Sequence, residues 1–158
     1  MVEPLELSQQ ALDRLHAEFD ERTGPGRTEI TNRIEEAREH GDLKENAEYH
    51  AAKNEQGLNE ARIRQLEDML SRAVVVEADA NTDAAAAGLL VELRYEGDDD
   101  TTTYLMGSIE ERHDTYDVLS VSSPLGRAVI GKHPGTKVSY QGPKRELAVE
   151  LVSVRPAS

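Results

Sequence analysis

The apolar residues of this chain change period once along its length, and that change limits the folds open to it. From Ser8 they fall at helical spacing: Leu12, Leu15 and Phe19, then Ile30, Ile34 and Ala37, then Ile63, Leu66, Leu70 and Ala73. From Leu89 the spacing drops to two, with Val91, Leu93 and Tyr95 alternating with Glu92 and Arg94, and ELAVELVSV (146–154) alternating likewise. Between the patterns lies ADANTDAAAAG, residues 78–88, a run of small residues that reads as a linker. The expected fold class is α+β, with a helical part over 1–77 and a small antiparallel-sheet domain over 89–158.

Ser8 is a good N-cap for the first helix. TGPGR (23–27) interrupts that helix, because proline removes an amide donor and glycine weakens helical structure; a kink or short break is predicted. A second helical pattern follows HGD (40–42), where Ile63, Leu66, Leu70 and Ala73 repeat at the 3-4-3 spacing of a coiled-coil seam. Two arms of about 33 residues, each about 50 Å long, joined by a short turn form a long antiparallel hairpin. Its tip lies at residues 41–48.

The net charge of −13 is shared by both halves: residues 1–75 carry 17 acidic and 10 basic side chains, and the remainder 14 and 8. No domain-wide basic face is available to a nucleic-acid backbone, so any such contact must be local or made through a partner. Cysteine is absent, which rules out disulfides and thiolate metal sites. No apolar run approaches the roughly 20 residues that span a bilayer, and MVEPLELSQQ lacks the features of a signal peptide. The expectation is a cytoplasmic monomer with no membrane contact.

Why an acidic protein places still more acid at its turn is the central question. Asp42 and Glu45 have the spacing of a capping box, in which Asp accepts from a free amide and Glu reaches back. They are also hard oxygen donors at the end of a probe, and magnesium is often held by one or two carboxylates plus substrate phosphates. Spacing alone leaves both readings open. Glu48 is expected to be solvated, and Tyr49 to pack beneath the turn. His40 and His50 lack metal-ligand spacing. Arg38, Lys44 and Lys53 either balance charge along the helices or hold an RNA phosphate. In the second half, SSPLGRAVIG (122–131) reads as a short helix capped by Ser123, started by Pro124 and closed by Gly131.

AREHGDLKENAEYHAAKNEQG (37–57), EARIRQLEDMLSRA (60–73) and SPLGRAVIG (123–131) together resemble the bacterial Gre transcript-cleavage factors, on the GreA side of that family. The resemblance spans nearly the whole chain. It implies an FKBP-like C-terminal domain that docks on bacterial RNA polymerase, with Ser123, Pro124, Leu125 and Gly126 as docking candidates. It implies a hairpin that enters the secondary channel and meets the RNA 3′ end of a backtracked complex. Asp42 and Glu45 match the family's tip acids, which share a Mg2+ ion with the polymerase active site; no cofactor is bound stably by the factor alone. Arg38 and Lys53 match its basic residues near RNA. TGPGR, and Pro134 and Thr136 in GKHPGTKV (131–138), depart from the family pattern. An alternative outcome is occupation of the channel without cleavage. A prolyl isomerase is disfavoured by one Phe and no Trp, and a generic scaffold by the length of the tip motif.

Overall fold

The computed structural model describes residues 3–79 and 81–157. It resolves into two compact units, one of residues Leu12–Arg72 and the other of Glu3–Ala11 with the chain from Ala73 onward. The residues just before the hairpin therefore belong with the sheet unit.

The hairpin is built from α1 (Gln9–Thr23), α2 (Pro25–Arg38) and α3 (Ala47–Arg72). Ser8 caps α1, its hydroxyl accepting the Ala11 amide at 3.1 Å. The expected break is present: Gly24 has φ −103° and ψ −103°, and Pro25 opens α2. The second arm is one uninterrupted helix of 26 residues, about 39 Å rather than the 50 Å expected. The difference arises because the turn takes eight residues and the chain leaves the helix at Arg72. Ala73 accordingly lies in a strand rather than in the seam. The buried stripe of α3 runs through Ala52, Asn59, Ile63, Leu66 and Met69, so Met69 replaces Leu70. The opposing arm bends at Gly24 and does not hold to the heptad line.

Ion pairs cross the hairpin along its length. Arg27 binds Glu60 through two hydrogen bonds of 3.0 and 2.8 Å, and Arg62 binds Glu18 through two of 2.8 Å. Arg33 meets Glu55 at 2.8 Å. Ile30, Ile34 and Ala52 form a small core below the turn, with Tyr49 packed against it.

In the sheet unit, β1 (Leu5–Leu7) and β2 (Ala73–Val75) pair in parallel. A second sheet contains β3 (Leu89–Tyr95), β4 (Thr102–Gly107), β5 (Asp117–Ser120), β6 (Lys137–Gln141) and β7 (Glu146–Pro156), in the order β5-β4-β3-β7-β6. Three pairings are antiparallel, but β4 and β5 run parallel. The sheet is therefore mixed, correcting the all-antiparallel expectation; residues 108–116 cross over before β5 begins. Val91, Leu93, Met106, Leu119, Val149 and Leu151 form the core, covered by Leu125 and Val129 of the short helix α4 (Pro124–Val129).

The segment expected as a linker is partly built into this core. Ala85 is buried among these residues, and its amide and carbonyl pair with Lys132 and Gly131 at 2.8 and 2.7 Å. Its small side chain is what lets the backbone come so close. Glu111 is buried too, accepting from the Ser8 amide at 2.9 Å and the Ser8 hydroxyl at 2.6 Å. A buried carboxylate needs such donors, and its charge also suits the amino end of α1.

Candidate functional site

The turn at residues 39–46 is assembled by one residue that reaches both arms. Asn46 donates from Nδ2 to the Ala37 carbonyl at 2.6 Å and accepts the Tyr49 amide on Oδ1 at 3.1 Å. The first bond satisfies a carbonyl at the end of α2, and the second caps the start of α3. The Glu39 and His40 amides close the last turn of α2 onto Glu36 and Ala37 at 3.2 and 3.1 Å. Gly41 then turns the chain with φ +117°, a conformation that L side chains resist.

Capping by Asn46 decides what the acids do. α3 begins at Ala47, so Asp42 and Glu45 do not form the capping box that their spacing allowed. Asp42 makes only a local turn, Oδ1 accepting the Lys44 amide at 3.0 Å. That leaves its other oxygen and further lone pairs open. Glu45 has neither a hydrogen bond nor an ion pair to its carboxylate among the described residues, and both acids are exposed.

Below them, the turn is braced. Tyr49 is half-buried, with the Arg38 guanidinium 5.9 Å from its ring centroid and His50 packed edge-on at 5.5 Å. Arg38 is thus engaged by stacking. His50 Nε2 lies 3.2 Å from the Lys44 carbonyl, and His40 Nδ1 lies 3.6 Å from Glu48. Lys53 donates to Gln56 at 2.9 Å, one turn down α3. The Lys44 side chain is exposed beside the acids.

Two hard, exposed carboxylates can contribute to a divalent-cation shell, but magnesium asks for six oxygens in near-octahedral array. No group of three or more His, Asp or Glu side chains is placed to hold a metal ion among the described residues. Two carboxylates supply at most part of such a shell.

The candidate docking residues divide sharply. Ser123 caps α4, accepting the Gly126 amide at 3.0 Å while donating to the Ser120 carbonyl at 2.7 Å. Pro124 is exposed. Leu125 and Gly126 are buried, and a Cβ on Gly126 would collide with the Ser120 carbonyl oxygen. They shape the surface from beneath and do not form it. Asn46 is the residue of this turn that sequence reasoning missed. Asn is a strong cap, which was a usable signal, but its bond to Ala37 spans the turn.

Fold and tip together define a two-unit α+β protein: a helical hairpin ending in exposed acids, and a sheet unit that contains the chain on both sides of it. Comparison with known proteins makes the assignment specific. The family model for the transcription elongation factor N-terminal domain matches residues 5–75, and that for the GreA/GreB C-terminal domain matches residues 80–156. This chain belongs to the GreA/GreB family of transcription elongation factors. The transcription elongation factor GreA of Streptomyces avermitilis is 44% identical over 152 residues, covering 95% of this chain and 92% of the relative. GreA of Mycobacterium tuberculosis is 43% identical over 154 residues, covering 95% and 93%. Among solved structures, the transcription factor Gfh1 aligns over 98% of this chain and 99% of its own, with 29% identity and a TM-score of 0.47.

Proposed function

We propose that this protein binds bacterial RNA polymerase, passes its hairpin into the secondary channel and stimulates the polymerase's own cleavage of backtracked RNA 3′ ends. The observation that carries this reading is the division of labour at the tip. Asn46 caps α3, and Asp42 and Glu45 are left exposed with free oxygen lone pairs.

Asp42 and Glu45 would hold a Mg2+ ion jointly with the polymerase active site. When bound there, the metal supplies an activated water and offsets charge on the phosphate under attack. A carboxylate oxygen of either acid not engaged with the metal would accept a hydrogen bond from the attacking water and orient it. Gly41 and Asn46 fix the turn that presents the two acids, so little ordering remains to be done on binding. Lys44, Lys53 and Arg38 set positive charge beside them, against the RNA phosphates. Alone, the factor hydrolyses no RNA, because two carboxylates hold neither metal nor phosphate in place. It acts as a cytoplasmic factor on the polymerase and is not itself an enzyme.

The test uses a stalled, backtracked elongation complex with labelled RNA and magnesium. Wild-type protein is expected to accelerate cleavage, and Asp42→Asn and Glu45→Gln to abolish the stimulation while still binding polymerase. Binding without stimulation by wild type would replace this reading with that of a channel-occupying inhibitor.

A further inference from the structure

The break in the first arm is held by the second. Pro25 has no amide, so the hydrogen-bond ladder of α1 cannot run through it. Directly across the hairpin, the buried Asn59 donates from Nδ2 to the Arg22 carbonyl at 3.1 Å and accepts from Arg22 Nη1 on Oδ1 at 2.9 Å. A guanidinium only donates and a carbonyl only accepts, so this arrangement fixes which way the amide faces. Arg22 also donates from Nε to Glu18 at 2.7 Å, and Glu18 takes two bonds from Arg62, one turn beyond Asn59. Four side chains therefore join the arms on the body side of the break, where apolar packing would leave the register free to slip.

We propose that Asn59 is a positioning residue for cleavage: with Arg22 it holds the Gly24–Pro25 break at one angle, and so sets where Asp42 and Glu45 stop. This rests on the functional reading above. The lever is long. The 14 residues of α2 span about 21 Å, so a change of about 10° at the break moves the tip by about 3–4 Å. A misplacement of about 1 Å at a reacting centre can cost about a hundredfold in rate. A buried Asn at a helix–helix seam is also the residue type that fixes register at a cost in stability.

The chain has no cysteine, so spin labels attach only at His16→Cys and Glu39→Cys. Both positions are exposed and flank the break, and a straight helix would separate them by about 35 Å. Asn59→Leu fills the same seam position and removes both hydrogen bonds. It is expected to fold with an unchanged or raised Tm and to broaden or shift the label distance. It should also lower the maximal cleavage rate by about tenfold or more, leaving the half-saturating concentration on polymerase unchanged. Asn59→Asp keeps the acceptor for the guanidinium, loses the donor to the carbonyl, and should fall between. A label distance identical to wild type in Asn59→Leu overturns the proposal whatever the cleavage result. So does a changed distance with wild-type cleavage. If wild type itself stimulates no cleavage, the functional reading fails, and the distances alone decide whether Asn59 holds the break.

Discussion

The carboxylates along the arms and those at the tip are the same chemical groups put to opposite uses. Glu18, Glu55 and Glu60 each meet an arginine of the opposing arm, at 2.8 Å in every case. Hydrogen bonds from Arg33 and Arg27 hold Glu55 and Glu60 below their ordinary range, and Arg62 takes Glu18 down to about 2. At the tip, Asp42 receives one backbone amide, and Glu45 receives neither hydrogen bond nor ion pair among the described residues. Three acids of the arms are thus paired across the hairpin, whereas Asp42 and Glu45 share the exposure of Glu21, Glu35 and Glu36 and differ from these in lying together on the turn. A chain of net charge −13 could have paired or omitted them. Their solvation, within a turn that Asn46 braces, is what the proposed function draws on.

The sharpest way to break this comparison is at the tip itself. Asp42→Asn and Glu45→Gln should each reduce stimulated cleavage by about a hundredfold or more, the scale of losing a positioned charge at a reacting centre. Neither should shift stability by more than about 0.5 kcal/mol, because both sites are exposed and outside the packing. A matched fall in Tm would show the acids to be structural after all.

Asn46→Ala separates bracing from chemistry. It removes the cap of α3 and one of the two hydrogen bonds to the Ala37 carbonyl, which keeps the His40 amide, at a cost of about 1 kcal/mol, and cleavage should fall with the loss of order in the turn. Thermal melts beside cleavage assays would show both effects together, unlike the tip acids.

Glu18 supplies the pH contrast. Its pKa falls from 4.5 to about 2, mainly through the hydrogen bond from Arg62 and then that from Arg22, against a raising effect of burial. A depressed acid stabilises the fold fully above the unfolded value, so its contribution holds above about pH 4.5 and drains away toward pH 2. Glu18→Gln should cost on the order of 1 kcal/mol at neutral pH, after screening of a half-buried site, and should flatten acid unfolding across that window. An unchanged acid limb would remove Glu18 from the comparison. The smallest effect belongs to Arg33→Gln, where a fully exposed pair should move Tm by no more than about 1 °C and respond to added salt.

Local chemistry made much of this legible. Ser8, the Gly24–Pro25 break, Ser123 with Pro124, and the acids at the turn follow from residue types whose preferences act over a few positions. What stayed hidden depends on distant partners. Asn46 and Asp42 are both good caps, and only the Ala37 carbonyl across the turn chooses between them. Ala85 reads as linker until the chain around Lys132 folds against it. Glu111 reads as one more surface acid, yet it is buried on Ser8, 103 positions away in sequence. The parallel β4–β5 pairing was equally illegible, because alternation shows that a strand exists without giving its direction. At the seam, heptad counting favoured Leu70, whereas Met69 is the buried residue.

The short ladder of β1 and β2 brackets the hairpin in the chain. On the ribosome, β1 emerges first and has no partner until residues 8–72 have followed it. At about 5–20 residues per second that wait lasts roughly 3–13 s. Helices form in microseconds or less, so the arms have ample time to close on each other while Leu5–Leu7 is still waiting. The last unit to finish folding thus takes in the first strand to be made. A stop at the end of α3 would leave both arms made and β1 without its partner strand, an open edge that quality control can recognise.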